Sequence, residues 1–207
     1  MTTDPSPDLV KYCDLMEEVK LRINVIDFFV LGQGRALYER AALESACLQL
    51  RKILELVAFG SLVANKDAYT AVYGKFSKKW DAGDLLKELG QVNPDFYPFP
   101  IIEVPSSHPP AVVDLVPREG DFLTELAFAE VYGRCGVMAH AANPYGKGID
   151  YAYYQQKLLL WRAQVVNLLN AHQIHLVNTP GFYLIHMHDK QDGKVHWCKT
   201  KPWAKPQ

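Results

Sequence analysis

Residues 35–65, RALYERAALESACLQLRKILELVAFGSLVAN, carry the strongest helical signal in the sequence and decide the predicted class of fold. On a helical wheel of about 100° per residue, one side of this segment is apolar. That side is formed by Leu43, Cys47, Leu50, Leu54 and Val57. We therefore predict a long helix that packs one face against the rest of the protein.

Three charged side chains lie on a narrow stripe of the same predicted helix. Glu44, Arg51 and Glu55 project from one side and are bordered by apolar residues, unlike the charges of a simple solvated face. Arg51 and Glu55 are spaced for an ion pair within the helix. The simplest interpretation is a partly buried salt-bridge set between two helices. The alternative is that these groups face a functional cavity.

Four further segments show helical periodicity, at residues 4–31, 78–92, 121–140 and 150–177. Glycines at 32 and 34 end the first of them. Together the five helices predict a mainly α fold, a helical bundle domain over residues 1–178.

A proline-rich insertion at residues 92–118 interrupts the helices. It contains seven of the 13 prolines and cannot be helical. Its segments IIEV (101–104) and AVVDLV (111–116) can pair as a small hairpin. An insertion of this length is either a lid or binding loop, or a covering of the surface.

Residues 179–207 predict a C-terminal β-hairpin and tail packed on the bundle. A three-residue turn at 191–193 would place His188 opposite His196 and His186 opposite Cys198. These four side chains would share one face, and they are zinc-type ligands. Their spacing is not a recognised zinc signature, and a polar strand face explains them more simply.

Composition excludes several classes of protein. The chain is 49% hydrophobic and 22% charged, with a net charge of −1, so no overall field favours a nucleic acid or membrane surface. The four scattered cysteines do not form a disulfide framework. With no basic-then-apolar leader and no uninterrupted apolar span, we predict a cytoplasmic protein.

The segment YGRCGVMAHAANPYG, residues 132–146, places an arginine and a histidine among small and apolar residues. In the structural interpretation, Arg134 pairs with Glu130 one turn earlier and His140 caps the helix. In the functional interpretation, Arg134 and His140 are a phosphate-binding cation and a proton carrier. Gly133 and Gly136 would let a backbone approach closely.

An arginine followed six residues later by a histidine, late in a predicted helical bundle, resembles the HEPN superfamily. The resemblance covers roughly residues 9–177. It implies a metal-independent ribonuclease without a cofactor, and a homodimer whose paired motifs face one cleft. Such motifs often carry a polar residue directly after the arginine, whereas this chain has Cys135 there. The resemblance therefore also fits a family member that does not cleave RNA.

The implied reaction is phosphodiester transesterification. A ribose 2′-hydroxyl attacks the adjacent phosphorus while His140 carries a proton, and Arg134 holds the phosphate. Residues six apart on a helix point about 120° apart, so convergence requires a loosened helix end or a second copy. Glu44, Arg51, Asn143 and Tyr145 are candidates for supporting roles.

Two other classes of function stay open. One is a non-catalytic helical module for dimerisation or for binding a ligand or partner, for example in a bacterial stress or defence system. Its contact surface would be the proline-rich insertion. The other is a small metal-binding protein that uses the hairpin. Lysines interleaved with Trp197 and Trp203 in the tail fit contact with RNA, and they also fit an ordinary solvated C-terminal tail.

Overall fold

The computed structural model describes residues 7–34, 36–74, 81–107, 113–176 and 181–200. The helices in these residues are α1 (Pro7–Val30), α2 (Glu39–Ala64), α3 (Lys66–Tyr73), α4 (Ala82–Val92), α5 (Glu125–Val137) and α6 (Tyr151–Leu169). The strands are β1 (Phe99–Pro105), β2 (Val113–Pro117), β3 (Ala171–Ile174), β4 (Phe182–His186) and β5 (His196–Thr200). No helix in these ranges is both long and apolar enough to cross a membrane.

Helices α1 and α2 pack antiparallel as the central pair. Tyr12, near the start of α1, lies against Gly60, near the end of α2, where a Cβ would stand 3.0 Å from the tyrosine ring. Farther along, Arg22 donates a hydrogen bond to Gln49 at 2.6 Å. The side of α2 that the wheel predicts to be apolar lies in the core, where most of its members are buried.

The five strands form one antiparallel sheet in the order β2–β1–β3–β4–β5. The predicted pairing within the proline-rich insertion is confirmed, with Ile101 opposite Pro117 at one end of the β1–β2 hairpin. Residues 108–112 of this insertion lie outside the described residues. Strand β3 lies between the two hairpins and pairs with β1 on one side and β4 on the other.

The predicted fold class, a mainly α bundle of about five helices with a C-terminal hairpin, is wrong. Of the described residues, 57% are helical and 15% lie in the five-stranded sheet, so the fold mixes helices and sheet. The prediction omits helix α3, and it extends its last helix, residues 150–177, over residues 170–176, where the helix has already ended. Helix α6 ends at Leu169, and β3 follows with His172 and Ile174 buried and the residues beside them half-buried. That alternation is typical of a strand.

The C-terminal hairpin forms in a different register from the predicted one. His186 lies opposite His196 instead of Cys198, because the connection is longer than three residues. Contacts with α1 and backbone hydrogen bonds within the connection hold this longer turn. Since the shift is two residues, the faces are preserved, and Ile185 and Trp197, now opposite each other, both lie on the predicted apolar face.

His172 links the sheet to the helical pair. Its side chain is fully buried, with Nδ1 2.7 Å from the carbonyl oxygen of Leu169 and Nε2 2.7 Å from the hydroxyl of Tyr12. A carbonyl oxygen only accepts, so Nδ1 carries the proton and Nε2 accepts from the tyrosine. Burial lowers the pKa of His172 to about 4 and raises the pKa of Tyr12. The imidazole is therefore a neutral structural group.

Candidate functional site

Arg134 lies in the last turn of α5 with its guanidinium at the surface. Nε is 3.7 Å from a carboxylate oxygen of Glu130, and the arginine side chain is 52% exposed. Its Cζ lies 5.4 Å from the ring centroid of Tyr153 in α6. Its backbone oxygen accepts a hydrogen bond from the Tyr154 hydroxyl at 3.0 Å. The ion pair of the structural interpretation is present, yet it leaves the guanidinium open to solvent.

His140 lies three residues beyond the end of α5. Its backbone N–H donates to the carbonyl of Val137 at 3.3 Å, so the main chain, and not the side chain, closes the last turn. The imidazole is exposed, and within the described ranges it forms no hydrogen bond or ion pair. No hydrogen bond in these ranges joins it to Arg134. The two groups share the C-terminal end of α5 without assembling into a site within one chain.

Arg51, a predicted supporting residue, is bound to α5. Nη2 donates to the hydroxyl of Tyr132 at 2.6 Å, Nη1 donates to its backbone oxygen at 3.1 Å, and Cζ lies 3.7 Å from the ring centroid. Glu55 completes the group, 3.4 Å from the Nε of Arg51 and 3.2 Å from the donating hydroxyl of Tyr132. Burial raises the pKa of that hydroxyl. This is the partly buried salt-bridge set of the simpler interpretation.

The two glycines of the motif differ in what surrounds them. At Gly136, a Cβ would stand 2.9 Å from Nη1 of Arg51. At Gly133, a Cβ would meet nothing within 4 Å. Close approach therefore explains Gly136, whose missing side chain makes room for the guanidinium, and does not explain Gly133.

Glu44 shares the stripe of Arg51 but has a different partner. Its carboxylate accepts a hydrogen bond from the hydroxyl of Tyr151 at 2.7 Å, which ties α2 to the first turn of α6. The Cζ of Arg40 lies 4.9 Å from the centroid of the same ring. The charged stripe of α2 therefore contacts two helices: Arg51 and Glu55 contact α5, and Glu44 contacts α6.

Asn143 and Tyr145 form an exposed turn after α5. The side-chain oxygen of Asn143 accepts from the backbone N–H of Tyr145 at 3.0 Å, and its carbonyl accepts from Gly146 at 2.9 Å. Tyr145 is 97% exposed. Over the part of the chain that is described, neither residue hydrogen-bonds to Arg134 or His140.

The residues of the zinc alternative find separate partners. His186 Nε2 lies 3.2 Å from a carboxylate oxygen of Glu103 in β1, without hydrogen-bond geometry. His196 Nε2 lies 3.1 Å from the carboxylate of Asp192. The group of metal-type ligands that the described residues do bring together is Asp189, Asp192 and His196, at the surface of the turn. It shares one member with the predicted set.

His188 and Cys198, the other two residues of the predicted zinc set, do not join the group of Asp189, Asp192 and His196. Both are exposed, and Cys198 pairs across the hairpin with Leu184. Desolvation, together with the nearby carboxylate of Glu103, raises the pKa of the Cys198 thiol. The thiolate that a metal requires is therefore disfavoured at this position. Trp197 of the predicted RNA-contacting tail packs edge-on against Tyr183, and residues 201–207 lie outside the described residues.

The sequence analysis missed the tyrosines that hold the arginines. Three arginines rest on tyrosine rings: Arg40 on Tyr151, Arg51 on Tyr132 and Arg134 on Tyr153. The sequence does contain a signal for them, because tyrosines are concentrated at the start of the last predicted helix and next to the Arg134–His140 motif. Tyrosine combines an apolar ring with a polar hydroxyl, so it can pack on a guanidinium and also form a hydrogen bond.

Comparison with known proteins identifies no relative of this chain. No family model matches the chain, and no curated protein or solved structure matches it.

Proposed function

We propose that the protein is a cytoplasmic, metal-independent endoribonuclease of HEPN type that works as a homodimer. The observation that carries this proposal is that the two groups of the motif are both accessible at one end of α5. Arg134 is half exposed, and His140 is exposed with no side-chain partner in the described part of the chain. The four cysteines are free, as suits a reducing compartment.

Arg134 is the phosphate-binding group. The carboxylate of Glu130 and the ring of Tyr153 hold its guanidinium while leaving N–H donors for a phosphate. A guanidinium matches two phosphate oxygens at once and stabilises the negative charge that develops in the transition state. An exposed ion pair at 3.7 Å contributes little, so Glu130 can yield to a phosphate.

His140 is the proton carrier. In one copy the imidazole takes the proton of the ribose 2′-hydroxyl as its oxygen bonds to phosphorus. In the other copy a protonated imidazole gives a proton to the leaving 5′-oxygen as the P–O bond breaks. The products are a 2′,3′-cyclic phosphate and a 5′-hydroxyl. A two-fold axis beside the end of α5 supplies both imidazoles and removes the need for the two side chains to converge within one chain.

The test is RNA cleavage by the purified protein in excess EDTA, with the products analysed by mass spectrometry. We expect cyclic-phosphate ends, loss of cleavage in His140→Ala, and a loss of about 100-fold or more in Arg134→Ala. The matched control is His188→Ala, which removes an exposed histidine on the C-terminal hairpin and should leave cleavage unchanged. Cleavage that survives in His140→Ala would refute the proposal.

The proposed homodimer is tested by a separate measurement. Sedimentation equilibrium should give a dimer. Because each cleavage uses the imidazoles of both copies, an excess of His140→Ala protein exchanged into the wild-type dimer should lower cleavage by forming inactive hybrid dimers. A monomer at the concentrations where cleavage occurs would contradict the shared site.

A second candidate function is partner binding through the proline-rich insertion. The observation that favours it is that β2 is an edge strand of the sheet and that Phe99, Ile102 and Val113 of the β1–β2 hairpin are exposed. The edge of β2 can accept an extended segment of a partner as a sixth strand. Val113→Lys should abolish co-purification of such a partner and leave RNA cleavage intact.

A further inference from the structure

A cavity of about 810 Å³ opens where the end of α1, the connection to α2 and the start of α6 meet. Its volume falls within the range of roughly 300–1,000 Å³ that is usual for small-molecule sites. It is distinct from the end of α5, and the ribonuclease proposal does not use it.

The inner wall of the cavity is apolar. Five of its side chains are Phe29, Val30, Leu43, Ala46 and Leu158. The first three are half-buried and supply accessible apolar surface, whereas Ala46 and Leu158 are fully buried beneath it. Glycine and alanine at 32, 34, 36 and 42 leave the space open. Such a surface binds an aliphatic or aromatic body because its burial removes apolar area from water.

The wall formed by the α1–α2 connection is held against α1. The backbone N–H of Gly34 donates to the carbonyl of Phe28 at 2.9 Å. A Cβ at Gly34 would lie 1.8 Å from the Phe28 ring, so only glycine lets the chain pass this close. The cavity is therefore bounded by a packed turn.

Among the described residues that line the cavity, Arg40 stands at the rim as a cation. Arg40 lies over the ring of Tyr151, and within the described ranges it pairs with no carboxylate. The neighbouring carboxylate of Glu44 already accepts a hydrogen bond from the Tyr151 hydroxyl. Glu39 stands in the first turn of α2, where a carboxylate interacts favourably with the helix dipole.

We propose that this cavity binds an amphipathic carboxylate, with its aliphatic body on the apolar wall and its carboxylate on Arg40. An apolar wall selects the body of the ligand, and a guanidinium at the mouth selects a planar anionic head that accepts two hydrogen bonds.

The probe is dodecanoate, titrated into the full chain by isothermal calorimetry. We expect saturable binding near one molecule per chain, about tenfold or greater weakening in Arg40→Gln, and loss of binding in Ala42→Phe, which fills the cavity. Dodecanoate should also raise the melting temperature of the wild-type protein, because it binds the folded state.

Two controls keep the result decisive. Dodecanol has the same chain without the charge and should bind the wild-type protein and Arg40→Gln equally weakly. Lys87→Gln removes an exposed cation on α4, outside the cavity, and should leave the affinity for dodecanoate unchanged. The proposal is overturned if the wild-type protein shows no saturable binding, if dodecanol binds as tightly as dodecanoate, or if a folded Arg40→Gln protein keeps wild-type affinity.

Discussion

The guanidinium of Arg51 lies 3.7 Å from the ring centroid of Tyr132 and donates a hydrogen bond to the hydroxyl of the same residue at 2.6 Å. A single residue of α5 thus binds the arginine through its ring and its polar tip. The carboxylate of Glu55 closes the group by accepting from the tyrosine.

This relationship predicts the effect of removing one oxygen atom. Tyr132→Phe keeps the ring beneath Arg51 but deletes both hydrogen bonds of the hydroxyl, so the free energy of unfolding should fall by about 1–2 kcal/mol. Urea denaturation measures the difference. Tyr145→Phe, at a 97% exposed position, should change stability by less than about 0.5 kcal/mol. Equal effects of the two substitutions would mean that the hydroxyl of Tyr132 contributes no stability.

The two glycines of α5 form a matched pair. Gly133→Ala should stabilise the protein by up to about 1 kcal/mol, because alanine is the better helix former and its Cβ meets nothing. Gly136→Ala brings a methyl group 2.9 Å from Nη1 of Arg51 and must displace it from the carbonyl of Tyr132. We expect Gly136→Ala to be about 1 kcal/mol less stable than Gly133→Ala in thermal or urea denaturation. Equal gains would show that the guanidinium moves freely.

His172 predicts how stability depends on pH. Its pKa is about 4 in the folded protein against an ordinary value of 6.5, so between these values the unfolded chain binds more protons. Its contribution is complete above about pH 6.5 and is lost as the pH falls toward 4, by about 3 kcal/mol in total. Urea denaturation at pH 7, 5.5 and 4.5 should follow this fall. In His172→Gln the slope should be shallower over the same range, and an unchanged slope would contradict the assignment.

The ion pair between Asp27 and Arg162 predicts a measurable coupling between α1 and α6. Nε and Nη2 of the arginine reach the two carboxylate oxygens at 2.8 and 2.6 Å, and both side chains are less than one third exposed. A double-mutant cycle to alanine should give a coupling energy of about 1 kcal/mol. The exposed pair Asp84–Lys87, at 3.7 Å, is the control and should give a coupling near zero. Similar couplings in the two cycles would refute this ranking.

Five of the six helices in the described residues were predicted, because their signals are local, whereas the short helix α3 was not. The apolar side of α2 repeats with helical period, and Thr124 and Asp150 cap α5 and α6 through side-chain hydrogen bonds that their own sequences encode. Strand β3 was not predictable in this way. All four of its residues pair with β4 and two of them pair with β1, so the strand depends on its place in the sheet, and four residues are too few to show a hydrophobic period.

In the candidate site too, contacts set by local spacing were predictable, and contacts set by the packing of distant helices were not. The pairing of Arg134 with Glu130 follows from helical spacing and was foreseen as one of two interpretations. The partners of Arg51 and Glu44 lie on α5 and α6 and depend on how those helices cross α2. The cavity at Arg40 has no sequence motif, because several segments bound it and none of them encloses it alone.

The position of β3 has a consequence for the order in which a nascent chain can mature. The β1–β2 hairpin forms from neighbouring residues soon after synthesis, but Phe99 and Pro100 at its inner edge stay unpaired until α5 and α6 have been made and β3 follows them. During that interval the open edge of β1 is a template for pairing with other chains. Chaperone dependence and aggregation during expression should therefore be most sensitive to substitutions in the four residues Ala171–Ile174.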